Sequence, residues 1–301
     1  MINNIPSFLH EMLLKQYGEE LTNKIIKGYN VKRFVTLRVN TLKTNLENVI
    51  NILNENNIKF KQVSWYKDAL IIENADENDL RKLSLYENGE IYLQSLSSML
   101  PAIILNPKEN ENILDMAAAP GGKTTQIAAL SNNGALITAC EKNKIRSERL
   151  KYNIDKQGAS KVNVLLEDSR KLDNFFSFDK ILLDAPCSGS GTLNVNDEKL
   201  DKYFNKELVE RSQKVQFELL KKAITILKPN SEMIYSTCSI LKEENEDNIF
   251  KILNNKNIEI VPIDEKIFEG IPTLPVTIKG TICVCPNELY EGFYIAKLRK
   301  K

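Results

Sequence analysis

Two cysteines stand in settings that suggest chemistry. Asp184-Ala-Pro-Cys-Ser-Gly-Ser-Gly-Thr192 and Tyr235-Ser-Thr-Cys-Ser239 each place a thiol where an apolar run ends, beside an acid or hydroxyl side chains. A free cysteine is more often a small buried hydrophobe, but that description suits mid-strand positions better than these loop entries. A third segment, Asp115–Thr125 (DMAAAPGGKTT), joins an apolar run to a helical one. Its small residues and two glycines let backbone approach a ligand, and free N–H groups at a helix start attract negative charge. A Walker A phosphate loop needs glycine at position 117, where Ala117 stands, and G-x-G-x-x-G is absent. The remaining reading is S-adenosylmethionine, whose carboxylate and amino-acid part sit on such a loop without phosphates. Glu141, 26 residues after Asp115, is placed to accept ribose hydroxyls, and Asp168 to meet an adenine amino group. Solvated acids at strand ends are the plain alternative for either one alone. Acids at the tips of four successive strands (Asp115, Glu141, Asp168, Asp184) are harder to dismiss.

A thiol beside a methyl donor points to one reaction. Carbon 5 of cytosine is too weak a nucleophile to take a methyl group unaided. A thiolate adding to carbon 6 makes the ring an enamine, and carbon 5 then attacks the sulfonium methyl. Loss of the carbon-5 proton with elimination of the thiol restores aromaticity, so one hard step becomes several easier ones. Asp184 is a candidate to hydrogen-bond the ring nitrogen or exocyclic amine. A free thiol is only a few per cent ionised at neutral pH. With no histidine nearby, backbone N–H groups, the cofactor's sulfonium or Lys123 are the candidates for lowering it. Spacing alone leaves open which of Cys187 and Cys238 attacks.

These residues need elements to hold them. Residues 5–28 read as a helix, Phe34–Val39 as a strand, Leu46–Leu53 as an amphipathic helix and Asp68–Ile72 as a strand, together a small α+β unit. From about residue 91 strands alternate with helices. Strands are expected at Ile113–Met116, Ala135–Cys140, Val162–Leu166, Lys180–Asp184 and Met233–Thr237, and two late ones at Thr281–Val284 and Phe293–Leu298. Helices are expected from Thr124, over Ile145–Gln157, over Lys206–Leu227 ahead of Pro229, and over Glu243–Leu253 with acids in its first turn. Such alternation predicts an α/β, doubly wound, mostly parallel sheet of seven strands, with ligands beyond the strands' C-terminal ends. The strands before Cys187 and Cys238 should be neighbours on one side of the first strand. The expected domains are 1–88 and 89–301.

Composition sets the outer limits. The 301 residues carry 41 Lys+Arg, 40 Asp+Glu and one histidine, a net charge of +1. This excludes a globally basic nucleic-acid coat but not a local patch, and most Ser-His-Asp, Cys-His and His-rich zinc chemistry. Among five cysteines there is no CxxC pair, which disfavours zinc ribbons and thioredoxin-like sites, and no metal is expected. Cys140 reads as core, and Cys283 and Cys285 share one face of a late strand. The N-terminus lacks the basic and apolar regions of a signal peptide, and no run approaches the roughly 18 apolar residues of a membrane span. A cytoplasmic, monomeric protein with reduced thiols is expected.

Taken in order, Asp115–Thr125, Asp184–Thr192 (DAPCSGSGT), Tyr235–Ile240 (YSTCSI), Glu243–Glu246 (EENE) and Glu291–Leu298 (EGFYIAKL) resemble the RsmB/NSUN-type RNA cytosine-5 methyltransferases. Arg38–Lys43 (RVNTLK) resembles the RNA-contacting N-terminal part of that family, so nearly the whole chain is covered. The resemblance implies a Rossmann-like class I methyltransferase fold. It makes Cys238, of the Thr-Cys motif, the nucleophile and Cys187, of the Pro-Cys motif, an aid to product release. It puts S-adenosylmethionine on Ala117, Ala118, Ala119, Pro120, Gly121, Gly122 and Lys123, with further contacts at Glu141, Asp168 and Asp184. Two features depart from the family. The segment Leu193–Asp197 lacks the usual basic residues and proline, and Tyr290-Glu291 stands where His-Asp is common. No extra RNA-binding domain is expected after Lys301.

Between Leu21 and Leu46 stand Lys24, Lys27, Lys32, Arg33, Arg38 and Lys43 with no acid, interleaved with Tyr29 and Phe34. Phosphate contacts plus stacking would suit a splayed single strand of RNA; a solvated helix face is the alternative. The target cytosine must leave its stack before a thiol can reach it. Ribosomal RNA is the expected substrate, with transfer RNA the alternative. A non-catalytic RNA-binding assembly factor of the same fold, and a nucleotide hydrolase built on Gly-Gly-Lys-Thr, are the rival functions. Both cysteines and Asp184 count against the first, and Ala117 against the second.

Overall fold

Short apolar runs such as Ile113-Leu114 and Ile181-Leu182-Leu183 have no exposed surface, as expected of strands covered on both faces. A computed structural model of the chain describes residues 5–195, 197 and 200–301, with Asn196 of the Leu193–Asp197 segment outside them. In chain order the elements are α1 (Ser7–Tyr29), β1 (Val35–Val39), α2 (Leu46–Glu55), β2 (Phe60–Val63), β3 (Tyr66–Ile72), α3 (Glu77–Arg81), α4 (Ser84–Glu87), β4 (Ile91–Leu93), α5 (Leu96–Leu105), β5 (Asn112–Asp115), α6 (Gly122–Leu130), β6 (Leu136–Cys140), α7 (Lys144–Gln157), β7 (Val162–Leu165) and β8 (Phe178–Asp184). There follow α8 (Leu200–Tyr203), α9 (Lys206–Ile226), β9 (Leu227–Thr237), α10 (Glu246–Leu253), β10 (Ile258–Ile260), β11 (Thr273–Leu274), β12 (Ile282–Val284) and β13 (Phe293–Lys300). The chain forms two compact units, one of residues 34–182 and 226–228, the other of residues 1–33, 183–225 and 229–301.

The first unit holds two sheets. One is antiparallel, in the order β2-β3-β1-β4, with Leu37 opposite both Leu70 and Leu93. The amphipathic α2 covers its apolar face. Asn45 caps the helix by accepting from the Asn48 N–H, and Val49 and Leu53 are buried with Leu37, Leu70 and Ile72. Each such burial contributes roughly 1.5–3 kcal/mol. The other sheet is parallel, β8-β5-β6-β7, with Leu114 paired to Ile181 on one side and Thr138 on the other. β2, β4 and α5 were not anticipated. The first two are short, and Pro101 inside α5 masks the helical pattern.

The second unit contains an antiparallel run, β11-β12-β13-β9, with β10 beside β13. It receives the end of β8, where the Ala185 N–H donates to the Ser236 carbonyl at 2.8 Å. The strands leading to the two cysteines are therefore neighbours, as expected. The seven anticipated strands are present, extended by the short β10 and β11. Two corrections concern boundaries. β9 begins at Leu227 and takes in Pro229. α10 begins only at Glu246, because Asn245 has non-helical dihedrals, so Glu243 and Glu244 lie ahead of the helix. Among the described residues no helix is long and apolar enough to cross a membrane.

Candidate active site

In the first unit the segment after β5 doubles back into α6. Gly121 forms the turn at φ +110°. A Cβ there would also press on Leu150 Cδ1 at 3.1 Å, so both conformation and space call for glycine. The loop is stitched down by the Ala118 N–H on the Cys140 carbonyl (2.9 Å), Arg146 on the Ala119 carbonyl (2.8 Å) and Asn153 on the Pro120 carbonyl (2.7 Å). Asp115 is buried and accepts from Thr124 Oγ1 at 2.8 Å. This acid braces the loop against its helix. Lys123 donates to Ser98 Oγ at 2.7 Å.

Glu141 follows β6 and is only 4% exposed. It accepts from the Asn143 N–H at 2.8 Å and lies 3.5 Å from Arg146. Asp168 is held by Arg170 at 2.6 and 3.0 Å, and these bonds keep its carboxyl below the usual carboxylate range. Gly121 gives α6 no side-chain cap, and the first turn of a helix attracts negative charge such as a carboxylate. A small-residue loop, a helix start and an acid after each of the next two strands fit the amino-acid part, ribose and adenine of S-adenosylmethionine.

In the second unit Cys187 and Cys238 are brought together from positions 51 apart. Their sulfurs are 3.0 Å from each other and both thiols are free. Each is partly buried. The hydrogen bond to Cys238, then burial, then the charge of Cys238 push the Cys187 thiol well above its ordinary value. Of the two thiols, Cys187 is therefore the one whose surroundings hold its proton. Asp184 accepts from Ser236 Oγ at 2.8 Å. Cys140, Cys283 and Cys285 are core residues, with burial raising all three thiols.

The helix α1 anchors both cysteine loops. Tyr17 Oη and Gln16 Nε2 donate to the Ile240 carbonyl at 2.5 and 3.1 Å, and Tyr29 Oη donates to the Ser190 carbonyl. Gly191 and Gly292 touch: the Gly292 N–H reaches the Gly191 carbonyl at 2.8 Å, and a Cβ on Gly292 would sit 2.7 Å from Gly191 Cα. That contact explains why the Gly-Thr and Glu-Gly-Phe segments both need glycine.

Comparison with known proteins agrees with these motifs. Residues 102–299 match the model of the 16S rRNA methyltransferase RsmB/F family, and residues 5–77 that of the RsmF/B-like ferredoxin-like domain. The chain belongs to the RsmB/F methyltransferase family. It is 35% identical over 279 residues to ribosomal RNA small subunit methyltransferase F of Shewanella loihica, covering 88% of this chain and 56% of the relative. The namesake from Vibrio vulnificus is 36% identical over 275 residues, covering 88% and 57%. The chain thus spans about half the length of the curated relatives it matches. Among solved structures, a methyltransferase homolog protein from Pyrococcus horikoshii has a TM-score of 0.82 at 31% identity, covering 99% of this chain and all of that one. NSun6 from the same organism, solved with SFG, has a TM-score of 0.87 at 27% identity, covering 100% and 99%.

Within this RsmB/F chain, one expected RNA contact is corrected. Arg38 has no exposed surface. It donates to Gln94 Oε1 (2.9 Å), Thr125 Oγ1 (2.6 Å) and the Gly122 carbonyl (3.2 Å), and lies over the Tyr92 ring. Its charge braces the start of α6, where alternation along β1 points it inward. Arg38→Met should lower stability by roughly 3 kcal/mol in urea unfolding, because it strips donors from buried acceptors. Tyr29 is likewise buried and cannot stack on RNA, and Arg33 has two buried guanidinium nitrogens. Lys24, Lys27 and Lys32 are exposed, as is Lys43, which donates to the Asn88 carbonyl at 2.9 Å.

Proposed function

We propose that this protein is an S-adenosylmethionine-dependent RNA cytosine-5 methyltransferase acting on ribosomal RNA through a covalent adduct at Cys238. The 3.0 Å pairing of two free thiols carries the reading. Family membership and the printed names of relatives, methyltransferases of small-subunit rRNA, support the substrate class. The SFG in the NSun6 structure, an S-adenosylmethionine analogue, supports the cofactor. The loop Ala117–Lys123 and the carboxylates of Glu141 and Asp168 would hold that cofactor. When bound, it supplies a methyl group made electrophilic by a sulfonium.

The chain's own groups then have distinct tasks. Cys238 Sγ adds to carbon 6 of the cytosine, and carbon 5 becomes nucleophilic. Asp184 holds the ring edge and balances the charge that develops there. Cys187 keeps its proton while sulfur 238 is charged. Once that sulfur is bonded to carbon, the hydrogen bond and negative charge that held the proton are gone. Cys187 then loses its proton to solvent, takes the carbon-5 proton, and the carbon–sulfur bond breaks.

In this reading residues 1–88 contact RNA, with Lys24, Lys27 and Lys32 meeting phosphates. Reversing these three lysines to glutamate should weaken RNA binding at least about tenfold and flatten its dependence on salt. Unchanged affinity and slope in a filter-binding titration would remove this surface from the interface.

The decisive test uses S-adenosylmethionine labelled in its methyl group. Small-subunit rRNA should acquire label that digestion identifies as 5-methylcytosine. Label on another base, or none, would overturn the function; label on transfer RNA alone would move the substrate.

A further inference from the structure

The loops bearing the thiols converge on Glu244, which has no exposed surface. Its Oε1 accepts from the Ser188 N–H at 2.8 Å and Gln216 Nε2 at 3.0 Å. Its Oε2 accepts from Ser188 Oγ at 2.5 Å and Ser239 Oγ at 2.6 Å. Ser188 directly follows Cys187, and Ser239 directly follows Cys238. Gln216 also donates to the Pro186 carbonyl at 3.0 Å, so Cys187 is gripped on both sides. Ser239 Oγ is further paired with Ser190 Oγ at 2.7 Å.

A buried carboxylate is costly, and an apolar side chain of similar size is often as good for stability. Stability therefore gives no reason for an acid here. What this acid does is geometric: four donors from three elements meet on one rigid group, and charge-assisted bonds of this kind are short and strong. We propose that Glu244 is a positioning residue that locks the Cys187 and Cys238 loops at the spacing that lets one thiol serve the other. The proposal rests on the function inferred above. The negative charge of Glu244 also helps Cys187 to keep its proton.

Glu244→Ala removes all four acceptor contacts, whereas Glu244→Gln preserves the shape, and the serine hydroxyls can turn to accept. Displacing a reacting group by about an ångström costs on the order of 100-fold. Glu244→Ala should lower kcat by about that factor, leave KM for S-adenosylmethionine within about twofold, and be rescued by Glu244→Gln to within about tenfold of wild type.

A second readout measures the spacing directly, without RNA or cofactor. One thiolate attacks 5,5′-dithiobis(2-nitrobenzoate), forming a mixed disulfide and releasing one thionitrobenzoate. The other thiolate displaces the second thionitrobenzoate and closes a Cys187–Cys238 disulfide. The wild type should release the second equivalent soon after the first. Glu244→Ala should slow the second release at least about tenfold, since closure depends on the preset distance. Should Glu244→Ala fail to fold, the Ser188→Ala/Ser239→Ala protein, which strips Oε2 of its hydroxyl donors, should show the same slowing. Wild-type rates of second release in the folded variants would overturn the clamp while leaving the function intact. Wild-type protein that makes no 5-methylcytosine would overturn the function and the proposal with it.

Discussion

Cys238→Ala is expected to lower 5-methylcytosine formation by at least about 10⁴-fold, the scale of losing a covalent nucleophile. The physical reason is that carbon 5 of cytosine acquires nucleophilic character only after addition at carbon 6. Cys187 remains 3.0 Å from the vacated position, but burial and the charge of Glu244, which do not depend on Cys238, still raise its thiol. The variant should retain S-adenosylmethionine binding and show no RNA adduct on a denaturing gel. Methylation retained in Cys238→Ala and lost in Cys187→Ala would exchange the two roles.

Cys187→Ala is expected to behave in the opposite sense. Sulfur 238 can still add and the first methyl can still be transferred, but nothing adjacent takes the carbon-5 proton. The enzyme should stall as a covalent protein–RNA complex, visible as a denaturation-resistant band approaching one RNA per protein. Steady-state turnover should fall by roughly 10²–10⁴-fold, the usual worth of a positioned general base. A single-turnover experiment separates methyl transfer from release: the first methyl should appear on the RNA and only the second turnover be blocked. A variant that turns over freely without accumulating the band would show that another group removes the proton.

The two thiols were visible in the sequence because each closes an apolar strand, and strand and loop entry are local patterns. The proposed cofactor loop is visible for the same reason: small residues, two glycines and a helix start are contiguous. Other roles could not be read locally. Arg38 looked like one more cation in a basic stretch, but its inward place on β1 sends it to Gln94 and Thr125. Glu244 read as a first-turn helical acid, whereas the non-helical Asn245 leaves it in the loop before α10. Tyr17 and Tyr29 gave no sign that they anchor the cysteine loops, because Ile240 and Ser190 lie 223 and 161 positions away.

The sequence by itself determined the alternation of strands and helices, the family and the candidate reactive groups, since each is encoded in runs of ten or so neighbouring residues. Only the tertiary structure decided how those groups are poised. The sulfur-to-sulfur distance, the thiol that keeps its proton and the buried acid joining the two loops all depend on contacts between segments some fifty positions apart. Such contacts arise when strands pair and side chains lose their water, and no local pattern of residues records them.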